Sequence, residues 1–299
     1  MRVFTSADCL AHDPGPGHPD QALRLKTVLE SICANTALEL LEAAPASIDD
    51  AALCHDRAYL TRAAAISRAG GGELGADTTL SAGSWAAVLG ATGAVLGALD
   101  HALNSGAHSF AAIRPPGHHA LHDRAMGFCV VNHVAVAATV ARRRGRDRVL
   151  IVDWDVHHGN GTQAMVEHEP LTRFVSMHQW PWYPGTGSSD ERGAARNCFN
   201  LPMAPGLPAA AYVESLWRGI ELATRGFAPD LILISAGYDG MLGDPLGGFT
   251  LEPEHYAIWV ERMRGRFPAV PLVALIEGGY APTRLAAGVV ATIKAMELQ

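Results

Sequence analysis

The chain has 299 residues, of which 48% are hydrophobic and 18% are charged, and its formal net charge at pH 7 is −7. This composition is typical of a globular α/β protein, and because no Pro/Ser-rich linker or charge block divides the chain, a single domain over residues 1–299 is predicted. The acidic balance argues against direct nucleic-acid binding, which requires clustered cations that face phosphates.

Cysteine usage and hydropathy predict a cytoplasmic protein without a membrane segment. The five cysteines lie far apart and form no C-x-x-C pair, which favours reduced thiols over a disulfide framework. The N-terminus, MRVFTSADCLAHD, reaches polar residues too early for a signal peptide. The longest apolar stretch, over 85–99, is interrupted by glycines and is shorter than the roughly 20 residues of a membrane span.

The first part of the chain alternates between predicted helices and loops. It predicts a strand over 2–6, a Pro- and Gly-rich loop over 13–21, helices over 21–35 and 52–68, a flexible glycine-rich loop over 69–83 and an apolar helix over 85–105. Loops of this composition commonly border active sites.

A predicted strand over 109–113 leads into the sequence RPPGHHA. Pro115, Pro116 and Gly117 fix and then bend the backbone directly before His118 and His119. These two histidines are therefore held in place at a strand end, although an HH pair without this context is usually incidental. A helix over 130–144 follows and ends in a basic cluster, which is typical of a solvated helix terminus.

The most informative stretch is 149–163, VLIVDWDVHHGNGTQ. Its four leading apolar residues predict a strand that is buried on both faces. Because successive strand side chains alternate between faces, Asp153, Asp155 and His157 can point to one side. Open α/β sheets bind ligands at the carboxyl ends of their strands, so a metal site is predicted here. The alternative for a D-x-H sequence is a hydrogen-bonded turn without a metal.

Polar groups follow further predicted strands in the rest of the chain. That part predicts helices over 162–167 and 207–226, strands over 173–177, 231–235 and 272–276, and a loop over 178–193 that contains Trp180, Trp182 and Tyr183. Asp239 and Asp244 follow the strand over 231–235, and Tyr280 follows the last strand in the turn EGGY. The alternation of strands and helices predicts a doubly wound, mainly parallel sheet with one site.

The candidate site residues suit the hydrolysis of an amide. Asp155, His157 and Asp244 offer three ligands and leave a coordination position open, which is the composition of a catalytic zinc site. Adjacent histidines supply a base and an acid, and the neutral O–H group of a tyrosine can donate to a developing oxyanion. No serine or cysteine lies in a nucleophile elbow, so a covalent acyl-enzyme is not expected.

Five sequences together resemble the zinc-dependent histone deacetylase family: RPPGHHA, GFCVVNHVAVAA, VDWDVHHGNGT, SAGYDGMLGDPLGGFT and EGGY. The similarity is greatest to the class II branch, which also holds bacterial deacetylase-like amidohydrolases and acetylpolyamine amidohydrolases. It runs from about Gly17 to the C-terminus. The resemblance implies an arginase/deacetylase-like α/β domain with a doubly wound, mainly parallel eight-stranded sheet flanked by helices.

The resemblance also implies a role for each catalytic residue. One Zn²⁺ per chain is implied, with Asp155, His157 and Asp244 as its ligands. His119 is implied as the general base and acid and His118 as its electrostatic partner.

Three further positions match residues that support this chemistry in the family. Tyr280 matches the tyrosine that stabilises the transition state, and Asp153 matches the carboxylate that orients the first histidine of the pair. Asn160 stands where one branch of the family has Asp and the class II branch has Asn.

Further correspondences concern the substrate and a second ion. Gly127 and Phe128 match one side of an acyl-lysine tunnel, and Tyr183 matches the opposite wall, which is Phe in many relatives. Leu246 stands where polyamine-specific relatives have Glu. A structural K⁺ is implied near main-chain carbonyls and groups of Asp153, Asp155, His157, Ser176 and Met177.

The expected substrate is a small acylated amine or an acyl-lysine, and three alternatives stay open. An acetylpolyamine deacetylase is one. An arginase-like ureohydrolase with two manganese ions is less favoured, because it needs an additional carboxylate where Gly159 stands. A non-catalytic acyl-ligand sensor is disfavoured because both histidines and Tyr280 are present. The sequence does not determine the oligomeric state.

Overall fold

Strands alternate with helices along the chain, as the sequence predicts. In this computed structural model, which describes residues 1–297, the strands are β1 (Arg2–Thr5), β2 (Leu40–Glu42), β3 (Gly71–Gly75), β4 (Thr78–Ser81), β5 (Ser109–Ala111), β6 (Val149–Asp153), β7 (Thr172–Gln179), β8 (Cys198–Met203), β9 (Leu231–Ala236) and β10 (Leu272–Ile276). Leu298 and Gln299, the end of the predicted 1–299 domain, lie outside the described residues.

The helices lie between these strands and are mostly amphipathic or buried. They are α1 (Ala22–Asn35), α2 (Ile48–Ala51), α3 (Arg57–Arg68), α4 (Ser84–Ser105), α5 (His133–Arg143), α6 (Asn160–Val166), α7 (Ala209–Ala223), α8 (Pro253–Arg266) and α9 (Pro282–Glu297), with a short 3-10 helix at Ala7–Ala11. The helix predicted over 52–68 is shorter in the structure, because the Asp56 side chain accepts a hydrogen bond from the Tyr59 amide and so begins α3 at Arg57.

The main sheet has eight strands in the order β2-β1-β5-β10-β9-β6-β7-β8, and its paired strands are parallel. The prediction of a doubly wound, mainly parallel eight-stranded sheet flanked by helices is confirmed. The chain continues from β6 to β7 on one side and from β9 to β10 on the other. The strand order therefore reverses between β6 and β9, and such a reversal opens a crevice at the carboxyl ends of the strands.

Several strands carry too weak a pattern for sequence reasoning to find. The edge strands β2 and β8 have few fully buried side chains, so a hydrophobic run is absent. The loop predicted over 69–83 contains an antiparallel hairpin in which Gly71 pairs with Ser81. Three of the five residues of β3 are glycines, which strand propensity disfavours, and main-chain pairing with β4 overrides that preference.

Helix α4 is long and apolar enough to cross a membrane by length and composition alone, with a mean hydropathy of 1.4. Its buried apolar residues from Ala91 to Ala102 belong to the main hydrophobic core, where the helix packs on β1 and β5. Close packing depends on Gly93, because a Cβ atom there would overlap the Ala44 carbonyl oxygen. We therefore describe α4 as a core helix.

The substitution Gly93→Ala should destabilise the protein, although alanine favours helix formation. The added methyl group meets rigid backbone, so the free energy of unfolding should fall by about 1–3 kcal/mol in urea titrations. Gly265→Ala in α8 is the matched control, since the space around that glycine is open and the added methyl group would meet no other atom. That variant should gain about 0.5 kcal/mol. Equal stability of the two variants would contradict the close approach at Gly93.

Candidate active site

The carboxyl ends of β6 and β9 deliver the candidate site residues into the crevice between these strands. Asp153 ends β6, and Asp155 and His157 follow it. Asp239 and Asp244 lie in the segment that follows β9. The Asp153, Asp155 and Asp239 side chains are fully buried, so the fold places several carboxylates away from bulk water.

Among residues 1–297, the potential metal ligands of Asp155, His157 and Asp239 form a close group, with one atom from each within 4.8 Å of the others. Nδ1 of His157 lies 3.1 Å from oxygens of both Asp155 and Asp239. The sequence predicts Asp155 and His157 in this group, and the structure brings them together. It places Asp239, not the predicted Asp244, as the third member of the group.

Electrostatics of this group favour a bound cation. Burial and the nearby Asp155 carboxylate raise the pKa of Asp239 to about 7. Burial opposes the charge of His157, but hydrogen bonds to Asp155 and Asp239 outweigh it and raise its pKa to about 10. Both shifts show that the buried negative charge of this group favours a compensating positive charge. A divalent cation held by two carboxylates and one imidazole would supply that charge, so the donor set fits a metal such as zinc.

The Asp244 carboxylate accepts three backbone hydrogen bonds instead. One oxygen accepts from the Leu246 amide at 3.0 Å, and the other accepts from the amides of Tyr280 and Ala281 at 2.6 and 3.3 Å. Asp244 thus joins its own turn to the Tyr280 turn. Asp244 lies beside Tyr280 and therefore still borders the crevice.

His118 is held among buried carboxylates. Its Nδ1 donates to Asp153 at 2.9 Å, and Glu277 accepts hydrogen bonds from the Gly117 and His118 amides. Burial disfavours the charged imidazole, but Asp155, Asp153 and Glu277 outweigh it and raise the pKa of His118 well above its usual value. The surrounding carboxylates therefore favour a positive charge on His118.

His119 has the opposite electrostatics, although its ring centroid lies only 4.0 Å from that of His118. Burial lowers the pKa of His119 well below its usual value, and the charges of His118 and His157 lower it further. Its Nδ1 donates to the Asn160 carbonyl oxygen at 2.7 Å, so the neutral ring leaves Nε2 without a proton. Such an imidazole can accept a proton.

Tyr280 is fixed from three directions. Its amide donates to Asp244, its ring meets Phe128 edge to face at 5.9 Å, and the Arg24 guanidinium lies 4.7 Å from its ring centroid. Arg24 in turn donates to the carbonyl oxygens of Gly279 and Glu277. Burial raises the pKa of Tyr280 well above its usual value despite the Arg24 charge, so its hydroxyl remains a neutral donor.

Aromatic rings surround the approach to the histidines. The Tyr183 ring stands nearly perpendicular to that of His119, with 5.2 Å between centroids. Gly127 and Phe128 both adopt positive φ, and a Cβ atom at Gly127 would overlap the His119 ring, so only glycine fits there. A tunnel between Phe128 and Tyr183, which the family resemblance implies, stays a prediction.

Trp182 and Leu246 contact each other. The indole N–H of Trp182 donates to the Leu246 carbonyl oxygen at 3.0 Å, and Trp182 remains 46% exposed. Trp180 is less exposed, and its amide donates to Met203 on β8. Of the two tryptophans to which the sequence assigns no role, Trp182 therefore lies beside the crevice and Trp180 joins its loop to the sheet.

Three residues of the site have no role in the sequence interpretation. Glu277 holds the backbone of the histidine pair, Asp239 joins the metal-ligand group, and Asp77 accepts hydrogen bonds from the Tyr183 hydroxyl and the Gly127 amide. Glu277 directly follows β10 and Asp239 closely follows β9, and this position after a strand could have identified both as site residues. Asp77 lies in the hairpin segment that the sequence predicts as a flexible loop, so no signal indicates it.

The crevice at the strand reversal, the buried group of carboxylates and imidazole, and the histidine pair define an α/β protein with a metal-hydrolase type of site. Comparison with known proteins agrees with this class. Residues 18–296 match the family model "Histone deacetylase domain". The HD domain of HDA15, a solved crystal structure, superimposes with a TM-score of 0.95 at 30% identity, over 100% of this chain and 91% of that chain.

Sequence relatives extend the match. An uncharacterized protein of Synechocystis sp. is 40% identical, over 98% of both chains. The histone deacetylase-like amidohydrolase of Pseudomonas aeruginosa is 37% identical over 88% of this chain and 71% of its own length. A probable deacetylase of Archaeoglobus fulgidus is 34% identical over 91% and 79%. The chain therefore belongs to the histone deacetylase family and is a hydrolytic deacetylase.

The substitution Asn160→Asp should raise the pKa of His119. A neutral amide orients the imidazole without stabilising its cation, whereas a buried carboxylate at this distance would raise the pKa by about 1 to 3 units. Titration of ¹⁵N-histidine resonances by NMR in metal-free protein measures this shift directly, with Asn132→Asp as a control at another buried amide. A His119 pKa that is unchanged or lower in Asn160→Asp would contradict the hydrogen bond.

Proposed function

We propose that the protein is a zinc-dependent amidohydrolase that removes acetyl or other short acyl groups from acylated amines such as acetyl-lysine or related small molecules. The observation that carries this proposal is the histidine pair. Two imidazoles in ring contact have pKa values shifted in opposite directions, so one can take a proton while its neighbour stays charged. Amide hydrolysis requires both a base for water and an acid for the leaving amine.

A single zinc ion is proposed at Asp155 and His157, with Asp244 as the third ligand, as the family resemblance implies. Asp239 then lies beside the same nitrogen of His157, Nδ1, that Asp155 contacts. Zinc would supply Lewis acidity toward the amide carbonyl and toward water. The proposed ligands, two carboxylates and one imidazole, would leave a coordination position for substrate.

The residues of the chain supply the remaining steps. Nε2 of His119 takes the proton from the attacking water and later gives a proton to the departing amine nitrogen. The positive charge of His118, compensated by Asp153, stabilises negative charge that develops on the substrate. The hydroxyl of Tyr280 donates to the oxyanion, and Phe128 and Tyr183 exclude water around the acylated amine.

The substrate is proposed to be small or a single acyl-lysine side chain. Leu246 offers only apolar contact at the rim, where a Glu would attract a second ammonium group. This favours neutral or weakly charged acylated amines over acetylpolyamines, which are the second candidate substrate. A cytoplasmic location is part of the proposal, because the five cysteines of the chain are all free thiols.

A structural K⁺ beside the zinc site is part of the same proposal. Ser176 pairs with Asp153 across β6 and β7, which brings two of the residues implied by the resemblance next to each other. The close packing around Gly159 argues against the arginase-like alternative with two metals. A Cβ atom there would overlap an Asp153 carboxylate oxygen, so the additional carboxylate of a second metal site does not fit.

Metal analysis tests the proposed stoichiometry. Purified protein should bind one zinc ion per chain, and chelation should abolish activity that zinc then restores, because the site has three protein ligands and an open position. Asp244→Asn should weaken zinc binding more than Asp239→Asn if Asp244 is the ligand. Two manganese ions per chain would overturn the proposal in favour of the arginase-like alternative.

The substitution Tyr280→Phe should lower kcat by about 10² to 10³, the usual effect of removing one oxyanion donor. Binding of a competitive inhibitor should change little, since the ring and its contact with Phe128 are retained. Initial rates of acetate release from an acetyl-lysine amide measure the effect, and Tyr238→Phe is the control, because that buried hydroxyl binds Thr292 instead. A kcat equal to wild type would remove Tyr280 from the mechanism.

A further inference from the structure

An open pocket of about 650 Å³ lies directly beside the tunnel wall. Its inner end is lined by Asp77, Met126 and Tyr183. Each of these residues also contacts the catalytic machinery or the tunnel: Asp77 binds the Gly127 amide, the Met126 sulfur contacts Asn160, and the Tyr183 ring faces His119. The pocket therefore adjoins the candidate active site.

The outer end of the pocket is lined by two arginines. Arg62 projects from α3, and its guanidinium lies 5.7 Å from the Tyr59 ring centroid, which orients it. Arg124 lies on the segment that precedes Gly127. Neither side chain forms an ion pair with any residue in the part of the chain that the structure describes.

The two acidic residues of the pocket differ in whether their carboxylates are available to neutralise the arginines. Asp77 is occupied, because one oxygen accepts from the Tyr183 hydroxyl at 2.8 Å and the other accepts from the Gly127 amide and the Thr78 hydroxyl at 2.9 and 3.1 Å. Asp123 is exposed and is the remaining carboxylate of the pocket. Two cations thus face one uncommitted anion, and the unpaired guanidinium groups can bind a carboxylate of a ligand.

We propose that this pocket is a second substrate subsite that binds a carboxylate on the far end of the acylated amine. The substrate class is then an acylated amino acid or ω-amino acid, with the acyl group at the catalytic histidines and the carboxylate at Arg62 and Arg124. The inference rests on the proposed deacetylase function and narrows its substrate.

The test compares substrates that differ only at the far end. 6-Acetamidohexanoate carries a carboxylate, 6-acetamidohexanamide is its neutral analogue, and N-acetylcadaverine carries an ammonium group. Acetate is released from all three, so one assay gives kcat/KM for each with zinc-loaded protein. The carboxylate should be preferred over the amide by about threefold to thirtyfold at low salt, which is the range for an exposed charge-assisted pair. Added salt should reduce the preference.

The variant Arg62→Gln/Arg124→Gln should abolish the preference by lowering kcat/KM for the carboxylate to about that for the neutral amide. Arg68→Gln is the matched control, since it lies on the same helix and does not line the pocket. The inference is overturned if wild type treats acid and amide equally, if it prefers the ammonium compound, or if the double variant keeps the preference for the carboxylate.

Equilibrium binding separates this inference from the proposed function. Calorimetry with the same three compounds reports the selectivity of the pocket even if none is hydrolysed. Tighter binding of 6-acetamidohexanoate that depends on the two arginines, without acetate release, would support the subsite and refute the deacetylase proposal for these substrates. Acetate release without selectivity for the carboxylate would support the deacetylase proposal and refute the subsite.

Discussion

The structure depends on the burial of several carboxylates at the point where strand order reverses. Asp153, Asp155, Asp239 and Glu277 are all almost completely inaccessible to water. Unpaired carboxylates at such depth would cost several kcal/mol each, so each accepts hydrogen bonds from backbone amides, histidines or a serine hydroxyl. The buried carboxylates therefore constrain the fold electrostatically, and they also lie in the candidate active site.

The same constraint shifts the pKa values of the two adjacent histidines in opposite directions. His118 lies among the carboxylates and retains a proton, whereas His119 contacts the charge of His118 on one side and a neutral amide, Asn160, on the other. One strand end thus produces a cationic and a neutral imidazole in contact. Neither histidine needs an unusual backbone conformation. Glu277 fixes the turn before them because it accepts hydrogen bonds from the Gly117 and His118 amides.

The sheet and the location of the site could be predicted from the sequence because both leave strong local signals. Apolar runs such as 149–152 identify buried strands, and polar residues that follow them identify the carboxyl edge. Spacing alone could not decide which of Asp239 and Asp244 lies against His157, because both residues follow β9. The turn between them determines where each side chain points. Asp77 and the hairpin were missed because glycine-rich segments carry no periodicity, and their structure comes from pairing with distant residues.

The proposed mechanism requires His119 to act as the base and acid in hydrolysis of an acylated amine. The decisive measurement is the rate of acetate release from acetyl-lysine amide by zinc-loaded wild type and His119→Gln. Glutamine can keep a hydrogen bond to Asn160 but cannot take the proton from water, so kcat should fall by about 10² to 10⁴ while zinc content and inhibitor binding are retained. Undiminished turnover in His119→Gln, or no acetate release from any acylated amine by wild type, would refute this role of His119.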